Sequence, residues 1–338
     1  MMPYLPWMHN LKLIEETDPT LRYREGEDFF AWQIRARAKL SELLGFGQMK
    51  KADDRLFTVE YERETDEYTE TRFTLQSEEG YIFPAVIRIP KGIQAPMPVM
   101  LTLQGHSTGM HISLGNPIFE RDYASISGGD RDFTVRALKE GCAAVAIEQR
   151  NFGECGGDPE KGKPQCWISS MSAIINGRTT IGERVLDVMC VIDVLTEHFS
   201  MLDPARIMLM GNSGGGTTTI YAAAMDERIS LAMPSCSVCT YKTSIAAVKH
   251  CVCNFVPNIV KFFDMGDLCG LVAPRPLVIV NGLQDHDFPN EGVKECYDVA
   301  QTAYTAAGVP DRCQLVTGPE GHRFYADLAW PIARQLMK

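Results

Sequence analysis

The chain has 338 residues, 45% hydrophobic and 22% charged, a composition that fits a folded globular protein with room for one large domain and excludes a low-complexity or disordered chain. Its formal charge of −10 argues against a nucleic-acid backbone or an anionic membrane as the main partner, and no apolar run approaches the length of a bilayer span. The 11 cysteines are odd in number and sit mostly in apolar surroundings, such as Gly141-Cys142-Ala143 and Val188-Met189-Cys190, as reduced core thiols do. The segment Met1 to Trp7 has neither a basic n-region nor a continuous apolar stretch, so the expected location is the cytoplasm.

Residues 1–54 read as an N-terminal extension packing on the core. Phe29, Phe30, Ile34, Leu40, Leu43 and Leu44 fall near helical spacing, and Gly45-Phe46-Gly47 closes that helix. Alternating stretches follow over residues 56–61, 69–75 and 81–89, the last two separated by the turn-like Gln76-Ser77-Glu78-Glu79-Gly80; they predict antiparallel strands leading into a sheet. The main domain, residues 55–338, then changes pattern. Short continuous apolar runs at residues 99–103, 143–147, 207–210 and 277–280 suit strands buried on both faces of a parallel sheet. Amphipathic segments at 181–199 and 291–307 alternate with them. The predicted fold is α/β, a mostly parallel central sheet flanked by helices. Residues 236–272 interrupt the alternation and are expected to form a lid or cap.

Gly211-Asn212-Ser213-Gly214-Gly215 follows the apolar run Ile207 to Met210 directly. A serine between glycines at the end of a buried strand is the pattern of a nucleophile elbow, since side chains two positions either side of the serine would collide in so tight a turn. Ser213 is the candidate nucleophile. A serine hydroxyl needs a base to take its proton, and the base needs an acid to fix its tautomer. Asp285 lies just beyond the strand Leu277 to Val280, and His322 lies in Gly318-Pro319-Glu320-Gly321-His322, just beyond the strand-like Gln314-Leu315-Val316. Asp285 is the candidate acid, with Asp287 as its rival and a helix cap as its structural alternative. His322 is the candidate base, with His286 and His106 as rivals. The oxyanion hole is assigned to the backbone N–H groups of Gly214 and His106, the latter in the loop Gln104-Gly105-His106-Ser107-Thr108-Gly109. His111, Arg150, Trp167 and Arg178 are candidate substrate contacts that could equally serve structure. Cys236-Ser237-Val238-Cys239, Cys251-Val252-Cys253 and the nearby His250 invite a metal reading, but C-x-C is poor spacing for zinc and no second matching pair follows; no metal and no organic cofactor are expected.

The elbow, the acid loop with Phe288-Pro289 and the terminal Gly321-His322 resemble the α/β-hydrolase superfamily. Phe262-Phe263-Asp264-Met265-Gly266-Asp267, Ala273-Pro274-Arg275-Pro276-Leu277, Gly177-Arg178-Thr179 and Gly182-Glu183-Arg184 are similar to its acetylxylan-esterase-like and dienelactone-hydrolase-like branch. The resemblance implies a serine esterase that removes short acyl groups such as acetyl from a small-molecule or oligosaccharide ester, with a homo-oligomer as a possible assembly. Gln104-Gly105 departs from the His-Gly that precedes the oxyanion residue in many esterases.

Overall fold

Alternating and continuous apolar runs join one sheet in the computed structural model, which describes residues 5–157 and 165–337. Its strands are β1 (Thr58–Glu64), β2 (Tyr68–Glu78), β3 (Tyr81–Pro90), β4 (Met97–Leu103), β5 (Ala143–Ile147), β6 (Leu202–Asn212), β7 (Ile229–Ser235), β8 (Leu277–Gly282) and β9 (Cys313–Gly318). They lie in the order β1-β2-β3-β5-β4-β6-β7-β8-β9. The three N-terminal strands are joined by short turns and therefore pair antiparallel; β3 also meets β5 antiparallel. From β5 to β9 every pairing is parallel, each crossover carrying helix. Edge strand β1 is exposed along its whole length and is rich in Glu, which discourages pairing with a second chain.

The helices are α1 (Pro6–Glu15), α2 (Phe29–Leu44), α3 (Glu120–Ser127), α4 (Phe133–Lys139), α5 (Cys166–Ile175), α6 (Thr180–His198), α7 (Gly214–Met225), α8 (Met265–Val272), α9 (Asn290–Ala306) and α10 (Ala326–Leu336). Side chains alternate across each strand, so a continuous apolar run feeds two cores at once. Val99, Leu101 and Leu103 of β4 and Leu277 and Ile279 of β8 pack with α2, α6, α7, α8 and α9. Met100, Val278 and Val280 face the other way, onto Phe133 of α4 and Trp330 of α10.

Helix α2 starts where the Asp28 carboxylate accepts the Ala31 N–H at 2.8 Å and stops at Gly45, whose φ of 83° is open to glycine at little cost. Its inner face buries Trp32, Ala36, Leu40 and Leu44, and Trp32 Nε1 donates to the Leu21 carbonyl at 2.7 Å. Residues 5–54 are thus tied to the sheet through α2. The expected cap, 236–272, divides in two. All eight residues of α8 are buried in the larger core, as are residues 236–241, whereas 246–264 forms irregular chain of mixed exposure above the carboxyl end of the sheet. Among the described residues, no helix is long and apolar enough to cross a membrane.

Candidate active site

Strand β6 ends at Asn212, and α7 begins at Gly214. Ser213 between them has φ 58° and ψ −125°, a conformation that L side chains rarely adopt. The turn is held by its neighbours. The Ser213 N–H donates to the Ser235 carbonyl of β7 at 2.8 Å, and the Ser213 carbonyl accepts the Thr217 N–H at 2.8 Å. A Cβ on Gly211 would stand 2.5 Å from the Gly215 carbonyl oxygen, and one on Gly215 would stand 2.2 Å from the Leu103 oxygen. Neither position has room for a side chain. As the first residue of α7, Gly214 offers an N–H with no intrahelical acceptor.

Because β6, β8 and β9 run parallel, their carboxyl ends open on one edge of the sheet. Asp285 follows β8, and His322 follows β9. His322 Nδ1 lies 2.9 Å from Asp285 Oδ2. The other oxygen, Oδ1, accepts the N–H groups of Asp287 at 3.0 Å and Phe288 at 3.3 Å. Burial acts to raise the Asp285 pKa, but hydrogen bonds from His322, Cys236 and the Asp287 backbone outweigh it and hold the carboxylate below its usual range. The Phe288 ring stacks on His322 at 5.9 Å, and Arg131 Nη2 donates to the His322 carbonyl at 3.4 Å. The rivals on the acid loop, His286 and Asp287, are both exposed. His250 Nε2 lies 3.1 Å from the carbonyl of Asp287, so this loop is braced from the 236–272 segment.

Across the elbow, Gly105 lets the loop after β4 press on Ser213: a Cβ there would come within 2.8 Å of the Ser213 Cβ. The ring of His106 lies along the elbow, with Nδ1 and Cε1 both 3.1 Å from the place of a Gly214 Cβ. Its Nε2 is 3.2 Å from Cys253 Sγ, and Phe152 meets it edge-on at 4.8 Å. Gln104 anchors this loop from beneath: its Nε2 donates to Ser113 Oγ and to the Arg131 carbonyl, both at 2.7 Å. A cavity of about 140 Å³ opens beside it, lined by His106, Ser107, Thr108, Ile112, Arg121, Asp122 and Ser125.

The remaining sequence candidates have separate surroundings. His111 Nε2 is 2.9 Å from Asp122 Oδ2 and 3.1 Å from Thr108 Oγ1, bracing the far end of the His106 loop. Arg150 is held in a buried ion cluster. Its Nε and Nη2 fork onto Asp187 at 2.8 and 2.9 Å, Nη2 also reaches Glu78 at 2.9 Å, and its guanidinium lies 3.8 Å from the centre of the Tyr81 ring. Arg178 joins the same cluster through Glu78 and Glu183. Trp167, on α5, is 66% exposed.

The cysteines regroup in a way local spacing does not show. Cys236 Sγ lies 3.2 Å from the Arg323 carbonyl and close to Asp285 and His322, while Cys239 Sγ lies 3.2 Å from Thr243 Oγ1. Cys251 and Cys253 instead meet Cys166 and His106, with the four donor atoms all within 4.8 Å of one another. Sequence reasoning passed over Phe152, which no local pattern marks, read Gln104 only as a departure from His-Gly, and read Cys236 only as a metal candidate.

Residues 9–319 match the Abhydrolase family. Among curated proteins, the candidate hydrolase YtaP of Bacillus subtilis (strain 168) is 26% identical over 258 residues, which is 75% of this chain and 83% of YtaP. Among solved structures, a candidate acetyl xylan esterase of Bacteroides fragilis NCTC 9343 superposes with a TM-score of 0.84 at 17% identity, over 99% of this chain and 95% of that one. A glucuronoyl esterase of Solibacter usitatus (TM-score 0.68, 14% identity, 95% and 97% coverage) and acetyl xylan esterase 1 of Thermoanaerobacterium sp. JW/SL YS485 (0.60, 16%, 97% and 97%) share the architecture. With the sequence match spanning almost the whole length and the α/β-hydrolase sheet and elbow in place, this chain belongs to the Abhydrolase family.

Proposed function

We propose that this chain is a serine carboxylesterase that deacetylates acetylated xylo-oligosaccharides or similar small acetyl esters. The observation that carries the reading is Ser213, held at φ 58° on the same sheet edge as the joined Asp285–His322 pair. Ser213 Oγ attacks the ester carbonyl as His322 takes its proton. The N–H groups of Gly214 and His106 stabilise the oxyanion. The imidazolium then protonates the departing alkoxide, and water cleaves the acyl-enzyme with the same base. The substrate class draws on the structural neighbours named as acetyl xylan esterases, whose likeness by itself speaks to fold.

The test is a panel of short p-nitrophenyl esters, acetylated xylo-oligosaccharides, a methyl glucuronate ester and a peptide, run beside fluorophosphonate labelling. Acetate release from the xylo-oligosaccharides, with labelling lost in Ser213→Ala, is the expected result. Turnover of the glucuronate ester alone would move the substrate to the class named in the other neighbours. Full activity in Ser213→Ala would place the nucleophile elsewhere.

A further inference from the structure

We propose that His106, Cys166, Cys251 and Cys253 form a four-coordinate zinc site that pins the loop beside the nucleophile to the irregular segment above the sheet. The donors come from three distant parts of the chain: the loop after β4, the first residue of α5, and the 246–264 stretch. Nothing in the elbow or the acid–base pair requires them to meet, yet their ligand atoms all lie within 4.8 Å of one another. Three thiols and one imidazole are a recurrent donor set for structural zinc. With Zn–S near 2.3 Å and Zn–N near 2.0–2.1 Å, a tetrahedron places sulfur atoms ~3.8 Å apart and sulfur from nitrogen ~3.6 Å. The 3.2 Å between Cys253 Sγ and His106 Nε2 lies close to that edge.

A second observation is independent of the cluster's shape. Arg184 of α6 is 1% exposed, and its Nη1 lies 3.6 Å from Cys253 Sγ. The rest of its fork donates to the Arg150 carbonyl at 3.1 and 2.8 Å, and its guanidinium sits 4.2 Å from the centre of the Phe152 ring. Among the described residues no carboxylate lies within ion-pairing distance of it. A buried cation needs a counter-charge. Zn²⁺ with three thiolates and a neutral imidazole carries −1, which Arg184 balances. Binding releases to solvent the protons of whichever thiols are not already ionised.

The site has consequences for its neighbours. Four protein ligands leave no open position, so the metal is structural and takes no part in bond cleavage. Ligation through Nε2 leaves the imidazole proton on Nδ1, the edge that lies against Gly214. The metal thereby fixes the ring, and with it the backbone of the loop assigned to the oxyanion hole. That last consequence rests on the esterase reading; the site itself does not.

The experiment measures metal in protein purified without added zinc or chelator, by inductively coupled plasma mass spectrometry. About one zinc per chain is expected. Exchange to Co²⁺ should give thiolate charge-transfer bands and the intense visible bands of a tetrahedral centre. Removal with a strong chelator under reducing conditions should lower Tm, and zinc should restore it. Cys166→Ser and Cys251→Ser should lose most of the metal, while Cys142→Ala, outside the cluster, should keep it. If a variant does not fold, the wild-type metal content and cobalt spectrum still decide. Metal-free wild-type protein would overturn the proposal in favour of a bare imidazolium–thiolate pair if Cys253 alkylates rapidly at neutral pH, or of a disulfide if intact mass falls by two hydrogens. None of these readouts depends on esterase turnover, so a failed substrate panel leaves the site standing and a failed metal assay leaves the nucleophile standing.

Discussion

His322 Nδ1 and Asp285 Oδ2 are joined at 2.9 Å, with the Asp285 side chain entirely shielded from solvent and His322 24% exposed. The arrangement fixes the ring by its inner nitrogen, and the esterase reading gives the outer one the proton taken from Ser213. Asp285→Asn keeps the shape but presents an amide where an N–H acceptor is needed. Its kcat on an aryl acetate should fall roughly 10⁴-fold, with the fold intact by circular dichroism. A loss under about tenfold would show that Asp287 or another group supplies the acid.

Ser213 stores backbone strain at the turn between β6 and α7. Its φ of 58° and ψ of −125° mirror an ordinary extended conformation, which glycine adopts freely. Ser213→Gly should therefore gain stability on the order of 1 kcal/mol, the relieved strain exceeding the extra chain entropy of glycine. Ser213→Ala keeps the Cβ and should show no such gain. Comparing the two by urea unfolding isolates the backbone contribution, and equal stabilities would mean that the strain does no more than offset the chain entropy of glycine.

Arg150 separates a structural role from a substrate role. Its guanidinium joins Glu78 of β2 to Asp187 of α6, with Ser77 Oγ accepting at 3.1 Å, so it ties a strand to the helix that covers it. Arg150→Ala leaves the buried Asp187 without its cation and Glu78 with Arg178 alone, and should cost about 3–5 kcal/mol. Arg150→Met retains packing on the Tyr81 ring and should recover part of that loss. A rise in KM at unchanged stability would instead assign Arg150 to the substrate.

The sequence carries the sheet's centre and the elbow openly, because continuous apolar runs and paired glycines leave few other conformations. Other parts were harder to read. Helix α1 carries Trp7, Leu11 and Ile14 at helical spacing, a short stripe the sequence reading did not use, and it buries none of its residues. Strand β7 is interrupted by Ser230 and Pro234, which break the run that marks its neighbours. The His106–Cys166–Cys251–Cys253 cluster could not be found from spacing, since only Cys251 and Cys253 are near one another in the chain. The same holds for Cys236, whose position beside Asp285 depends on β7 and β8 lying together.

Glu148, which follows β5, supplies a pH signature distinct from the acid–base pair. Its side chain is buried, and both oxygens approach the Met110 N–H at 3.2 Å, with Oε2 also accepting the Glu154 N–H at 3.3 Å. Burial raises its pKa to about 8 against the pull of these N–H donors; Glu154 adds to the rise, and Arg72 opposes it. An acid whose folded pKa is raised favours the fold in its protonated form. Its contribution is whole below the unfolded value near 4.3 and is lost as pH climbs through about 8. Over that window the loss accrues at about 1.4 kcal/mol per pH unit at most. Glu148→Gln can keep its carbonyl at the Oε2 position, where it meets both N–H groups, and it has no proton to lose. The variant should therefore gain on wild type steadily between pH 5 and pH 8 when Tm is followed across buffers, and the gap should stop widening above that range. A gap that stays constant with pH would mean that Glu148 is ionised throughout, with its charge balanced by Arg72 at longer range.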